Sequence, residues 1–228
     1  MTKLILNHPQ CPEVRLPEPM RSVAVTEEEL ARLRTAYKNE GPEHAAVMDR
    51  VRRADAILQR AIVFPPEGGQ HNQWYQCEPC QIGLKTVDPT HHRCPKCRRV
   101  YRGYPYDNVL YKTKHGTLAG EMNTCAWAFA VTGEERYADY ARQYLIGYSM
   151  RYTQYPYHSA NMGKRDDEPK ISGGHVMEQT LSEASWALGV CEAYDLVRSA
   201  SVWSEADHQK VREGLFVPLY HNIEKYKA

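Results

Sequence analysis

Cys77, Cys80, Cys94 and Cys97 stand in two C-x2-C pairs separated by thirteen residues. Each pair turns tightly enough to aim two thiolates at one ion, and two pairs complete a tetrahedral shell, so the pattern points to a structural zinc ion. Pro95 inside the second pair suits a zinc knuckle. Two other chemistries use the same residue type. Two disulfides would fit a secreted protein, and a redox C-x-x-C would need a βαβ unit, of which the flanking residues show no sign. His71, His91 and His92 lie close enough in sequence to replace a thiolate, or to stand exposed or hydrogen-bonded around the ligands. Cys125 and Cys191 fall on apolar helical stripes and read as buried, inert thiols, and Cys11 has no assignable role.

Two further constellations carry possible chemistry. Over residues 91–115, Arg93, Lys96, Arg98, Arg99, Arg102, Lys112 and Lys114 stand against the single Asp107, either a contact for a polyanion or a solvated face around the metal. His175 and Glu178 are spaced i, i+3 where a helix is expected to begin. On one helical face the carboxylate could orient the imidazole or hold its tautomer; a first-turn Glu favouring the helix dipole beside an exposed His explains the spacing equally.

The elements that must hold these groups are mostly helical. Thr26 and Glu29 form a capping box, followed by Leu30, Leu33 and Tyr37 at helical spacing. A second helix over about 43–62 aligns Val47, Val51, Ala54, Leu58 and Ala61, and the Pro- and Gly-rich run 64–69 stops it. Residues 70–110 have no helical period and read as a small module of short strands and turns. The helical period resumes at Leu118 and breaks at Thr132-Gly133. Helices follow over about 134–152, rich in Tyr, and about 175–199, with Leu181, Ala184, Leu188, Cys191 and Tyr194 as its stripe. Between them runs a polar loop, 153–174. Ser204 caps a last helix carrying Val211, Leu215, Phe216, Leu219 and Ile223. The expected fold is mainly α: a partial (α/α) toroid of antiparallel helix pairs with a zinc-ribbon-like insertion. Its parts are 1–69 (an extended segment and a helical hairpin), 70–110 (the four-Cys knuckle) and 111–228 (toroid helices that stop early).

Composition narrows the function classes. The chain has 228 residues, 42% of them hydrophobic and 25% charged, which is enough for a substantial core. A net charge of +1 gives no global field toward nucleic acid or an anionic membrane, so attraction to a polyanion must be local. No apolar run is long enough to span a bilayer. The first residues are too short in apolar content for a secretory signal, which places the protein in the cytoplasm if the start is authentic and in the periplasm or outside if it is not. The 16 Tyr against 3 Phe suit either sugar stacking or a core that uses Tyr.

Several segments together resemble heparinase II/III-like proteins. They include His8-Pro9 with Thr26-Glu27-Glu28-Glu29-Leu30-Ala31-Arg32-Leu33, then His71-Asn72-Gln73-Trp74-Tyr75-Gln76-Cys77, Asp88-Pro89, Cys94-Pro95-Lys96-Cys97 and Tyr101-Arg102-Gly103. Ala126-Trp127-Ala128-Phe129-Ala130-Val131-Thr132-Gly133-Glu134-Glu135-Arg136-Tyr137-Ala138 and Gln179-Thr180-Leu181-Ser182-Glu183-Ala184-Ser185-Trp186 are similar to the helical repeats of that family. The resemblance implies an incomplete toroid continued by a C-terminal β-sandwich region, and a lyase that cleaves uronic-acid polysaccharides by β-elimination. It implies His175 and Glu178 as catalytic residues; Tyr157, Lys164 and Arg165 are candidates to meet the acidic sugar. The remaining catalytic groups are expected beyond Ala228, leaving this chain incomplete as a catalyst. Two other functions compete: a zinc-stabilised module binding a polyanion, and a toroid glycoside hydrolase. The hydrolase would need paired carboxylates drawn from Asp166, Asp167, Glu168 and Glu178, whose spacing is not diagnostic.

Overall fold

Thr26 starts the first helix as expected: its hydroxyl accepts from the Glu29 N–H while the Glu29 carboxylate accepts from the Thr26 N–H. In the computed structural model, which describes residues 22–161 and 172–225, this helix is α1 (Glu27–Lys38), followed by α2 (His44–Leu58). Five short strands come next: β1 (Gln76–Cys77), β2 (Ile82–Gly83), β3 (Lys85–Asp88), β4 (His91–Arg93) and β5 (Val100–Tyr101). They form an antiparallel β1–β2 pair and an antiparallel β3–β4–β5 sheet. Helices α3 (Tyr106–Thr132) and α4 (Glu135–Ser149) follow, then the strand pair β6 (His158–Ser159) and β7 (Gly173–Gly174), and α5 (Thr180–Val197). The chain continues through α6 (Glu205–Val211) and a π-helical turn, Arg212–Phe216, into α7 (Val217–Lys225). The protein is mainly helical.

Helix α3 begins a dozen residues before the expected Leu118. Its first turns bury Asp107, Asn108 and His115, and polar residues on the inner face erase the apolar period that marks a helix. It is the central element, with α2, α4 and α5 all packed against it. Gly133, at φ 76°, ends it in the left-handed region, so two residues suffice to turn the chain back into α4.

The tyrosines of residues 137–155 are core residues. Tyr137, Tyr144, Tyr148 and Tyr152 are fully buried, and each hydroxyl has a partner on another element. Tyr137 donates to Asp55 Oδ1 at 2.7 Å, Tyr144 to Glu121 Oε2 at 2.7 Å and Tyr152 to Glu183 Oε1 at 2.8 Å. Tyr thus fills the volume a Phe would fill and adds a directional tie, worth about 1 kcal/mol net per bond.

Helix α5 faces the other way from its expected stripe. Trp186, Ala187, Val190, Ala193, Leu196 and Val197 are buried, whereas Leu181 is 78% and Leu188 73% exposed. Cys191 is exposed rather than buried, while Cys125 is buried as expected. The helix is apolar on both faces, so periodicity alone does not choose between them. The stripe containing the large Trp186 is the one that meets α3 and α4.

Candidate functional site

Two assemblies of polar side chains stand out. In the first, the four cysteines come together across β1–β2 and β4–β5. Both C-x2-C turns have the same build. Gln81 (φ 51°) and Arg98 (φ 66°), each just after a second cysteine, adopt the left-handed conformation. Their N–H groups return to the first cysteine's carbonyl, Gln81 to Cys77 at 2.7 Å and Arg98 to Cys94 at 3.1 Å. The turn also points the Cys97 N–H at Cys94 Sγ, 3.4 Å away. All four sulfurs lie within 4.8 Å of one another, and Cys77 Sγ and Cys97 Sγ are 3.6 Å apart. A tetrahedron with metal–sulfur bonds of about 2.3 Å has edges of about 3.8 Å, so the cluster fits one ion. The sulfurs are too far apart for the roughly 2.05 Å of a disulfide, and the cysteines are free. Tyr101 Oη donates to Cys77 Sγ at 3.2 Å, as suits a thiolate. Burial pushes the Cys94 thiol up, but backbone N–H groups of Cys97 and Lys96 outweigh it and bring the thiol down to about 6.

None of the nearby histidines joins the cluster. His71 Nδ1 accepts from the Gln73 N–H, and His91 pairs with Asp88 at 2.8 Å. His92 is fully buried: its Nε2–H donates to Asp107 Oδ1 at 2.8 Å, and Nδ1 accepts from Tyr75 Oη at 2.7 Å. That bridge fastens the cysteine module to the first turn of α3.

The second assembly lies where residues 68–70, β6–β7 and the bend 175–179 meet α3. His175 and Glu178 are not on a helix, since α5 begins only at Thr180. The bend is held by one carboxylate. Glu183, fully buried, accepts at Oε1 from Tyr152 Oη (2.8 Å) and from the N–H groups of His175 (3.1 Å) and Val176 (3.3 Å). Its Oε2 accepts from the Met177 N–H at 2.6 Å. Burial raises its carboxyl to about 7 against the pull of these four donors. Gly174 is required here, because a Cβ on it would lie 2.6 Å from the Glu183 carboxyl carbon.

His175 is half-buried. Its Nδ1 sits 2.7 Å from the Tyr155 carbonyl and must donate to it, which leaves Nε2 as the atom bearing the lone pair. No hydrogen-bond partner for Nε2 is present among the described residues. Burial lowers the pKa of the imidazole, the Tyr155 carbonyl only partly opposing it, which favours the neutral form. The Tyr155 carbonyl therefore does the orienting expected of Glu178. Glu178, fully buried, instead accepts from Lys112 Nζ at 2.5 Å, and its Oε2 has no partner among the described residues. Tyr157 packs edge-on to His175 at 5.8 Å, and Tyr152 lies 5.0 Å from it. Lys164 and Arg165, and with them Asp166, Asp167, Glu168 and Cys11, lie outside the described residues.

Asn108, His115, Gln70 and Glu183 were given no role from the sequence, and Lys112 was read only as part of the basic stretch 91–115. Asn108 donates to the Gly68 carbonyl at 2.8 Å, and His115, pushed down to about 4 by burial, donates to the Glu67 carbonyl at 2.9 Å. Gln70 donates to Tyr104 Oη and to the Ser159 carbonyl. A signal did exist: Asn108, Lys112 and His115 recur at i, i+4, i+7, a polar stripe at the helical period.

No family model matches this chain. A stretch of 98 residues, 43% of the chain, is 24% identical to an exo-oligoalginate lyase of Saccharophagus degradans. The match takes in 12% of that protein's length. A polysaccharide lyase is thus among the proteins this chain distantly resembles.

Proposed function

We propose that this chain is the N-terminal portion of a polysaccharide lyase that opens uronic-acid polymers by β-elimination, with its helix pairs forming part of an (α/α) toroid. The observation that carries this reading is His175: an imidazole whose tautomer is set by the Tyr155 carbonyl, with Nε2 uncommitted among the described residues and Tyr157 edge-on beside the ring. The distant likeness to an alginate lyase and the resemblance to heparinase II/III-like proteins support it.

In the elimination, a base takes the proton on the carbon next to the uronate carboxylate. The electron pair forms the new C=C bond, the adjacent C–O bond breaks, and the departing oxygen takes up a proton. His175 Nε2 is assigned the proton transfer at carbon, and Tyr157, with Lys164 and Arg165, contact with the acidic sugar. Glu178 is assigned a supporting role through Lys112. The group that neutralises the carboxylate comes, in this reading, from elsewhere in the longer protein, where the β-sandwich region is also expected. A glycoside hydrolase fits less well. Within this assembly Glu178 is committed to Lys112 and Glu183 to Tyr152 and backbone donors, so these two carboxylates do not present the free acid and base that reaction needs. In the same reading the four cysteines hold zinc, because thiolates in a closed tetrahedral shell suit that ion structurally.

The test is ultraviolet detection of unsaturated uronate released from polyuronates. The 228-residue chain alone is expected to release none. The full-length protein is expected to release it, with His175→Ala lowering turnover about a hundredfold or more. Undiminished turnover in His175→Ala would refute the assignment.

A further inference from the structure

The sheet β3–β4–β5 places like charges side by side. Its register sets Lys85 directly opposite Arg93, and Arg93 opposite Val100. Adjacent like charges destabilise a sheet, so a protein has little reason to keep them unless something else meets that face. The opposite face of the sheet is occupied: Thr86, His92 and Tyr101 align there, with His92 buried against Tyr75 and Asp107. Lys85, Arg93 and Val100 are exposed, and the knuckle turn beside them adds exposed Lys96, Arg98 and Arg99.

The arginines of this stretch differ from the others in lacking partners. Every arginine described outside residues 85–102 has a carboxylate, amide or carbonyl oxygen within 4.0 Å, as a hydrogen bond or a longer ion pair. Examples are Arg32 on Glu43, Arg53 on Asp49, Arg142 on Asp139 and Arg34 on the Ala130 carbonyl. Within 85–102, Arg93, Arg98 and Arg102 have no such partner among the described residues, nor do Lys85 and Lys96; Arg99 bonds Tyr101. The one carboxylate in that stretch, Asp88, is taken by His91 and Thr90. Among the described residues, Arg93, Arg98, Arg102, Lys85 and Lys96 thus stand without a partner within one short stretch of the cysteine module, in a chain whose net charge is only +1.

We infer that the outer face of β3–β4–β5, with the Cys94–Cys97 turn, is a binding surface for an acidic polysaccharide chain. Guanidinium forks match carboxylates, and a polymer with one charge per sugar suits a row of spaced cations. Nucleic acid is the poorer fit. Binding single strands calls for exposed aromatic platforms, yet Tyr75, Tyr101 and Tyr106 pack inward against His92 and one another. The surface is also tied to the second assembly: Trp74 Nε1 donates to the Ala160 carbonyl at 2.8 Å and Gln70 to the Ser159 carbonyl at 2.9 Å, both at strand β6. The inference needs no lyase activity, and it survives or fails apart from His175.

The experiment compares the metal-loaded 228-residue chain, Lys85→Glu/Arg93→Glu, and Lys38→Glu/Lys210→Glu, which carries the same charge change at remote exposed positions. Binding to immobilised alginate is measured over a range of NaCl. The sheet-face variant is expected to bind about tenfold or more weakly, with a log–log salt slope reduced by about two, while the remote variant stays near the parent. Metal content checks that each variant is folded. If the reversals cost the metal, Lys85→Gln/Arg93→Gln takes their place, with the same direction expected. Equal losses in both variants, or unchanged alginate binding, would overturn the inference. So would loss of single-stranded RNA binding alone, which would reassign the face to nucleic acid.

Discussion

Glu183→Gln is the most informative perturbation of the His175 bend. The parent carboxyl is lifted from an ordinary 4.5 to about 7 by complete burial, despite four donors. Its folded value lies above its unfolded one, so the native state holds a proton that the unfolded chain releases between pH 4.5 and 7. Stability from this group is therefore fully present below pH 4.5 and declines as pH rises through 7. A carboxyl lifted from 4.5 to about 7 corresponds to about 3 kcal/mol, most of which falls between pH 5 and 8. Glutamine keeps the shape and cannot ionise. It also turns an NH2 toward a backbone N–H, a mismatch costing about 2 kcal/mol. Urea unfolding at pH 5 and pH 8 is the assay: the stability advantage of the parent over Glu183→Gln is expected to shrink by roughly 2–3 kcal/mol at the higher pH. Hydrogen exchange at the amides of residues 175–177 is expected to accelerate about thirtyfold in the variant, the equivalent of about 2 kcal/mol. A difference independent of pH, or unchanged exchange at those amides, would refute the account of Glu183 as the clamp on this bend.

Other predictions are more local. Metal analysis of the purified chain is expected to find about one zinc, and Cys94→Ser to lose it and unfold the module between α2 and α3, read by hydrogen exchange. Gln81→Gly removes a side chain from φ 51° and is expected to raise stability by about 0.5 kcal/mol, the left-handed strain relieved exceeding the added unfolded-chain entropy; a lowered melting temperature would count against the knuckle geometry. Leu188→Gln on the exposed face of α5 is expected to change stability by less than about 0.5 kcal/mol, whereas Trp186→Ala on the buried face costs about 3–5 kcal/mol; comparable losses would mean α5 faces the other way.

What the sequence determined unaided are the features written in short spans. The C-x2-C turns are set by backbone conformation within four residues, and the short loop between the pairs leaves the four sulfurs little alternative but to converge. The capping box at Thr26 and the cap at Ser204 are equally local and stand as read, with Asp207 completing a box at Ser204. Helix existence was legible from periodicity, except where Asp107, Asn108 and His115 interrupted it at the start of α3. The tertiary structure alone decided choices among chemically acceptable partners far apart in the chain. Which face of the doubly apolar α5 is buried depends on α3 and α4 packing against Trp186. Whether the tyrosines serve a core or a sugar depends on Asp55 and Glu121, 82 and 23 residues away from the hydroxyls they bind. The spacing of His175 and Glu178 read as one helical face, but Glu183 draws the backbone between them into a bend, while Lys112, 66 residues upstream, claims Glu178. A buried carboxylate with competing donors takes the set that best offsets its lost hydration, and that comparison exists only once the helices have packed.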